Sequence, residues 1–92
     1  MADIKISRNH CIEESDLRAQ LEKLADDMAR KFGIRSDFRD NKVHLSGRPL
    51  KRGEVTWTDD TLSVKLTFDL MGKIFKKPIE SEIENQIDSM VA

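Results

Sequence analysis

The chain has 92 residues, enough for one small domain and too few for two. Sixteen Lys and Arg nearly balance 17 Asp and Glu, and a net charge of -1 argues against a general nucleic-acid binder, which is usually basic. Uninterrupted apolar runs reach only two or three residues, so no segment approaches the roughly 20 that a membrane-spanning helix needs.

One cysteine, Cys11, excludes an internal disulfide framework and fits a reducing compartment. The opening Met-Ala-Asp-Ile-Lys-Ile lacks the apolar core of a signal peptide, so the expected location is cytoplasmic. No repeat or low-complexity linker divides the chain, and residues 1–92 are read as a single cooperative unit. A domain of this size has about 5–14 kcal/mol of stability, which leaves little to spare for a large internal cavity.

The alternation in Asp3-Ile4-Lys5-Ile6-Ser7 predicts a strand with Ile4 and Ile6 on its buried face. A helix over residues 14–32 follows from Leu17, Leu21, Leu24, Met28 and Phe32, which form one stripe that Ala25 and Ala29 widen. Glu13 and Ser15 compete as its cap, and Ile12 is placed to staple onto Leu17. Acidic Glu13, Glu14 and Asp16 suit the positive end of the helix dipole. Glu14 with Arg18, Asp26 with Arg30, and Asp27 with Lys31 are expected pairs four residues apart. Gly33 reads as the stop, because glycine takes the left-handed conformation without a steric penalty.

Four strand-like runs come next. Ile34, Ser36 and Phe38 share a face of the first, and Asp40-Asn41 signals a turn. Val43 and Leu45 oppose Lys42, His44 and Ser46 in the second, which Gly47-Arg48-Pro49 interrupts. Val55 and Trp57 alternate with Glu54, Thr56 and Thr58, and Asp59-Asp60 makes the next turn. Leu62, Val64, Leu66 and Phe68 alternate with Ser63, Lys65, Thr67 and Asp69 in the most regular strand. Short connections imply an antiparallel meander. A last helix is expected near Pro78, with Ile79, Ile83, Ile87, Met90 and Val91 on one face.

The order strand, helix, four strands, helix defines an α+β fold. It is expected to form a two-layer sandwich with a mostly antiparallel sheet and both helices on one sheet face. The pairing position of the first strand stays open.

Signatures of chemistry are sparse. The sequence has no P-loop, no Rossmann glycine pattern, no paired cysteines and no His-Glu-x-x-His. His10 and Cys11 are neighbours that point to opposite faces of an extended chain. Cys11 reads as a small apolar filler, His10 as a group that orients the helix start, and His44 as a solvated strand residue. Glu80 and Glu84 share a face of the last helix and read as solvated carboxylates. Arg48, Lys51 and Arg52 read as a solvated basic hairpin end around Pro49 and Leu50. No catalytic residue, cofactor or metal is expected.

The stretch Leu70-Met71-Gly72-Lys73-Ile74-Phe75-Lys76-Lys77 has two readings. Leu70, Ile74 and Phe75 close the core at the edge of the sandwich. Alternatively they lie on a hydrophobic or anionic surface while the stems of Lys73, Lys76 and Lys77 snorkel beside them.

Ile4-x-Ile6-x-Arg8-x-His10, the apolar Ile12, an Ala- and Leu-rich helix ending Phe32-Gly33, and Pro78-Ile79-Glu80-x-Glu82-Ile83 together carry a resemblance. The chain resembles the small polyhydroxyalkanoic acid system proteins, also called the polyhydroxyalkanoate granule-region family, over nearly its whole length. It differs from them at Phe68-Asp69-Leu70-Met71-Gly72 and in the hairpin from Gly47 to Gly53. The resemblance implies a bacterial protein linked to polyester storage, with no catalytic residue or cofactor to carry over. The function it leads us to expect is that of a non-enzymatic accessory protein. Its partner would be the granule surface or a granule protein, and the attachment residues Leu70, Lys73, Ile74, Phe75, Lys76 and Lys77. The alternative is a homodimeric interaction module that uses the polar sheet face or a free strand edge. A binder of small apolar ligands is a third reading, and neither nucleic acid nor a transmembrane segment is expected.

Overall fold

A computed structural model describes residues 3–40, 42–47 and 50–91. The elements are β1 (Ile4–Asn9), α1 (Glu14–Phe32), β2 (Arg35–Arg39), β3 (Lys42–Gly47), β4 (Leu50–Trp57), β5 (Thr61–Phe68), a 3-10 turn (Gly72–Phe75) and α2 (Lys76–Val91). One antiparallel sheet has the order β1-β5-β4-β3-β2. The meander therefore runs from β2 to β5, and β1 joins it beyond β5 as an edge strand. α1 carries the chain from one sheet edge to the other. Its 19 residues span about 28 Å, close to the roughly 26 Å of the eight-residue strands beneath it.

The period of two fixes which side chains face the helices. Ile4 lies opposite Leu66, Ile6 opposite Val64, and Val55 between Val43 and Val64. These residues join Leu17, Leu21, Leu24 and Met28 of α1 and Ile79, Ile83 and Ile87 of α2 in one buried cluster. Among the described residues, the void left between the two layers is about 10 Å³, about the size of one water molecule.

α1 begins and ends at the predicted residues. Glu13 precedes it with extended dihedrals and no side-chain cap, so neither Glu13 nor Ser15 caps it with a side chain. Ile12 packs against the core instead. Gly33 closes α1 at φ 70, and its N–H donates to Ala29 O at 3.0 Å. Ala29 itself is exposed and does not widen the buried stripe. The expected pairs four residues apart give way to one pair three residues apart within α1 and to two reaches into other elements. Arg30 pairs with Asp27, Lys31 with Glu82 of α2 at 2.8 Å, and Arg18 with Asp40 O across the top of the Trp57 ring. The hydrogen bond from Lys31 holds the Glu82 carboxyl below its ordinary range, with help from Gln86. A lowered folded-state value means that this tie stabilises the fold above the carboxylate range and is lost as pH falls through it.

Three boundaries differ from the sequence reading. β1 runs on to Asn9. β4 begins at Leu50, so Leu50, Lys51 and Arg52 belong to a strand and not to a hairpin loop; Arg48 and Pro49, like Asn41, lie outside the described residues. The cause is a register shift between Leu50 and Arg52. The extra residue breaks the alternation by which a strand is read from sequence, yet Leu50 is still buried. α2 starts at Lys76, so Pro78 is its third residue.

Gly53 is where β4 passes closest to its neighbours. A Cβ there would lie 2.8 Å from Leu66 Cδ2 and 3.0 Å from Leu45 Cβ. Gly53→Val is expected to destabilise the domain by about 1–3 kcal/mol through overpacking, read as a lower urea midpoint. An unchanged midpoint would contradict the close approach.

Candidate functional site

All six predicted attachment residues fall between the end of β5 and the first two residues of α2. Asp69 sets the local course. The N–H of Gly72 donates both to Asp69 Oδ1 at 2.6 Å and to its carbonyl oxygen at 3.1 Å. The chain then winds as a 3-10 turn in place of continuing the strand. Three residues per turn bring Met71 and Ile74 onto one side, away from the core. Leu70 is 85% exposed, Met71 81%, Ile74 78% and Phe75 43%. Closure of the core by Leu70, Ile74 and Phe75 is therefore not what the fold does. Phe68 and Ile79, on either side of the segment, are buried and seal that end.

Around this turn lies an open groove of about 760 Å³ lined by Phe32, Gly47, Leu50, Asp69, Met71, Gly72, Ile74 and Phe75. Sequence reasoning missed Met71, Phe32 and Leu50. The signal for Met71 was its position beside Leu70 in an apolar run without a strand or helix period. Phe32 and Leu50 join the groove only through tertiary structure, since they close α1 and open β4. Lys73 and Lys77 are exposed and Lys76 is half-buried. None of the three makes an ion pair among the described residues.

The remaining candidates are structural or solvated. His10 is buried, and its two ring nitrogens are both engaged. Ile12 N–H donates to Nδ1 at 3.1 Å, so Nε2 carries the hydrogen and donates to Thr58 O at 2.9 Å. His10 thereby ties the approach to α1 to the end of β4; the sequence reading expected a group that orients the helix start, and the bond to Thr58 O is new with the structure. Cys11 is exposed and does not fill the core. His44 is exposed on the sheet face away from the helices. Beside His10 an open recess of about 340 Å³ takes in Trp57 and the acidic Glu13, Glu14 and Asp59. The Trp57 Nε1–H is buried with no partner among the described residues. No group of three metal-ligating side chains gathers among the described residues. No helix of the described residues is long and apolar enough to cross a membrane.

Fold and surface together define a two-layer α+β domain with a filled core and an apolar, lysine-flanked turn exposed at one end. A family model described as "Putative polyhydroxyalkanoic acid system protein" matches residues 4–91, and the chain belongs to that family. Its name places the protein in the polyhydroxyalkanoate system. No curated protein and no solved structure matches the chain.

His10→Ala would leave the Ile12 N–H and the Thr58 carbonyl without their buried partner. A loss of about 2 kcal/mol is expected in denaturant unfolding. A variant as stable as the wild type would show that these bonds do not hold α1 to β4.

Proposed function

We propose that the protein is a non-enzymatic accessory component of the polyhydroxyalkanoate system that attaches to the granule surface through residues 70–77. The observation that carries this reading is the exposure of Leu70, Met71, Ile74 and Phe75 on one turn. A small domain that fills its core with 20 other apolar side chains among the described residues gains nothing for its own stability by leaving four large ones in water. Each would contribute about 1.5–3 kcal/mol if fully buried on an apolar surface. Lys73, Lys76 and Lys77 lie beside them with stems long enough to reach past the apolar layer to its boundary.

Pairing of two copies through their open sheet faces is the weaker alternative. Among the described residues that face carries Lys5, Arg35, Arg39, Lys42, Arg52 and Lys65 against only Asp37 and Glu54. Lys5 even lies directly opposite Lys65. Two such faces repel each other.

Co-sedimentation with purified granules tests the attachment. The wild type is expected in the granule fraction. Ile74→Glu combined with Phe75→Glu should stay in solution while keeping the wild-type unfolding midpoint, because both positions are exposed. A folded double variant that sediments as well as the wild type would rule out this segment as the attachment site.

A further inference from the structure

The strand and helix directions gather charge at the attachment end. β3, β5 and α1 finish there, whereas β2, β4 and α2 start there. Arg35 opens β2, and its backbone N lies 3.6 Å from where a Gly47 Cβ would stand; Gly47 lines the groove. Lys51 and Arg52 follow Leu50, which lines the groove too. With Lys73, Lys76 and Lys77 they make six cations from four separate elements, and none has an ion-pair partner among the described residues. The anions at this end are Asp3, Asp69, Glu80 and Glu82, the last of them paired with Lys31 of α1. Two of these are already committed to backbone N–H groups, Asp3 to Phe68 and Asp69 to Gly72.

The far end has the opposite character. Glu13, Glu14, Asp16, Asp40, Asp59 and Asp60 cluster around the start of α1 and the turns after β2 and β4. The cations there are engaged: Arg8 pairs with Asp88, Arg39 with Asp37, Lys42 with Glu54, and Arg18 donates to Asp40 O. A chain of net charge -1 is thus divided into a cationic apolar end and an anionic polar end.

We propose that the cationic end recognises an anionic lipid surface, with the acyl region taking Leu70, Met71 and Ile74 and the phosphate headgroups meeting Arg35, Lys51, Arg52, Lys73, Lys76 and Lys77. The inference rests on the attachment reading above and specifies the chemistry of the surface. A neutral polyester would satisfy the apolar turn but offer nothing to six cations carried at the same end of the fold without an ion-pair partner among the described residues. A lipid layer presents apolar chains and fixed negative charge at the spacing of one side-chain length, which is the arrangement this end complements. The charge asymmetry also sets orientation, because the acidic end is repelled from the same surface.

Flotation of the full chain with vesicles provides the test. Phosphatidylcholine vesicles are compared with vesicles of phosphatidylcholine and phosphatidylglycerol in equal parts, and both with lipid-free polyhydroxybutyrate particles. Binding is expected to the mixed vesicles, to be much weaker on phosphatidylcholine alone, and to fall as salt rises. The combined variant Arg35→Gln, Lys51→Gln, Arg52→Gln lies outside residues 70–77 and is exposed at all three positions. It should bind mixed vesicles at least about tenfold more weakly at low salt, given roughly fivefold per cation near an anionic surface. Equal binding to both vesicle types, or wild-type binding by the triple variant, would overturn the proposal. Salt-independent binding to polyester particles with none to mixed vesicles would overturn it and leave granule attachment standing. Binding to neither particles nor vesicles would sink both. Retention of duplex DNA instead of mixed vesicles would overturn the lipid assignment.

Discussion

One apolar layer governs this molecule. The inward face of the five-stranded sheet meets α1 and α2, and most large apolar side chains between Ile4 and Ile87 are spent there. Burying these side chains supplies most of the drive to fold. In so small a domain little is left over for a hollow interior, and the 10 Å³ void reflects that.

The same layer sorts the exterior. Because the helical cover is on one side, the other sheet face stays open, and its alternate positions are left to polar side chains, the charged ones mostly basic. At the two ends the outcome differs. Near His10 the chain closes neatly, with the imidazole bridging Ile12 and Thr58. Past Phe68 the strand gives way to a tight turn, and four apolar side chains remain outside a core that is already sealed without them. Their exposure is a by-product of no visible structural need, which is why the functional reading is centred there, in a protein whose family belongs to the polyhydroxyalkanoate system.

Much of this was legible from residue order. The eight-residue alternation from Thr61 to Phe68 and the stripe from Leu17 to Phe32 are strong local patterns, and both elements form where they point. Local patterns fail where geometry is set by something else. The shift at Lys51 hides the beginning of β4, because one extra residue inverts the alternation. The position of β1 depends on which edge α1 leaves open, a tertiary outcome that no window of sequence contains. Residues 70–77 mix apolar and basic side chains with neither a two- nor a 3.6-residue period, so residue order admits both burial and exposure, and the 3-10 turn is what decides for exposure. The cationic end was invisible for another reason. Arg35, Lys51 and Arg52 are separated from Lys73 by tens of residues and share a location only because the strands that carry them start at the same end.

The proposed attachment of the apolar turn to the storage granule is tested most directly with a polarity-sensitive fluorophore. One label is attached through Met71→Cys and a second, in a separate sample, through Asp60→Cys, each in a Cys11→Ser background. On addition of native granules the emission at position 71 should move to the blue as the probe leaves water, while that at position 60 stays put. No shift at position 71, or equal shifts at both ends, would contradict attachment through this turn.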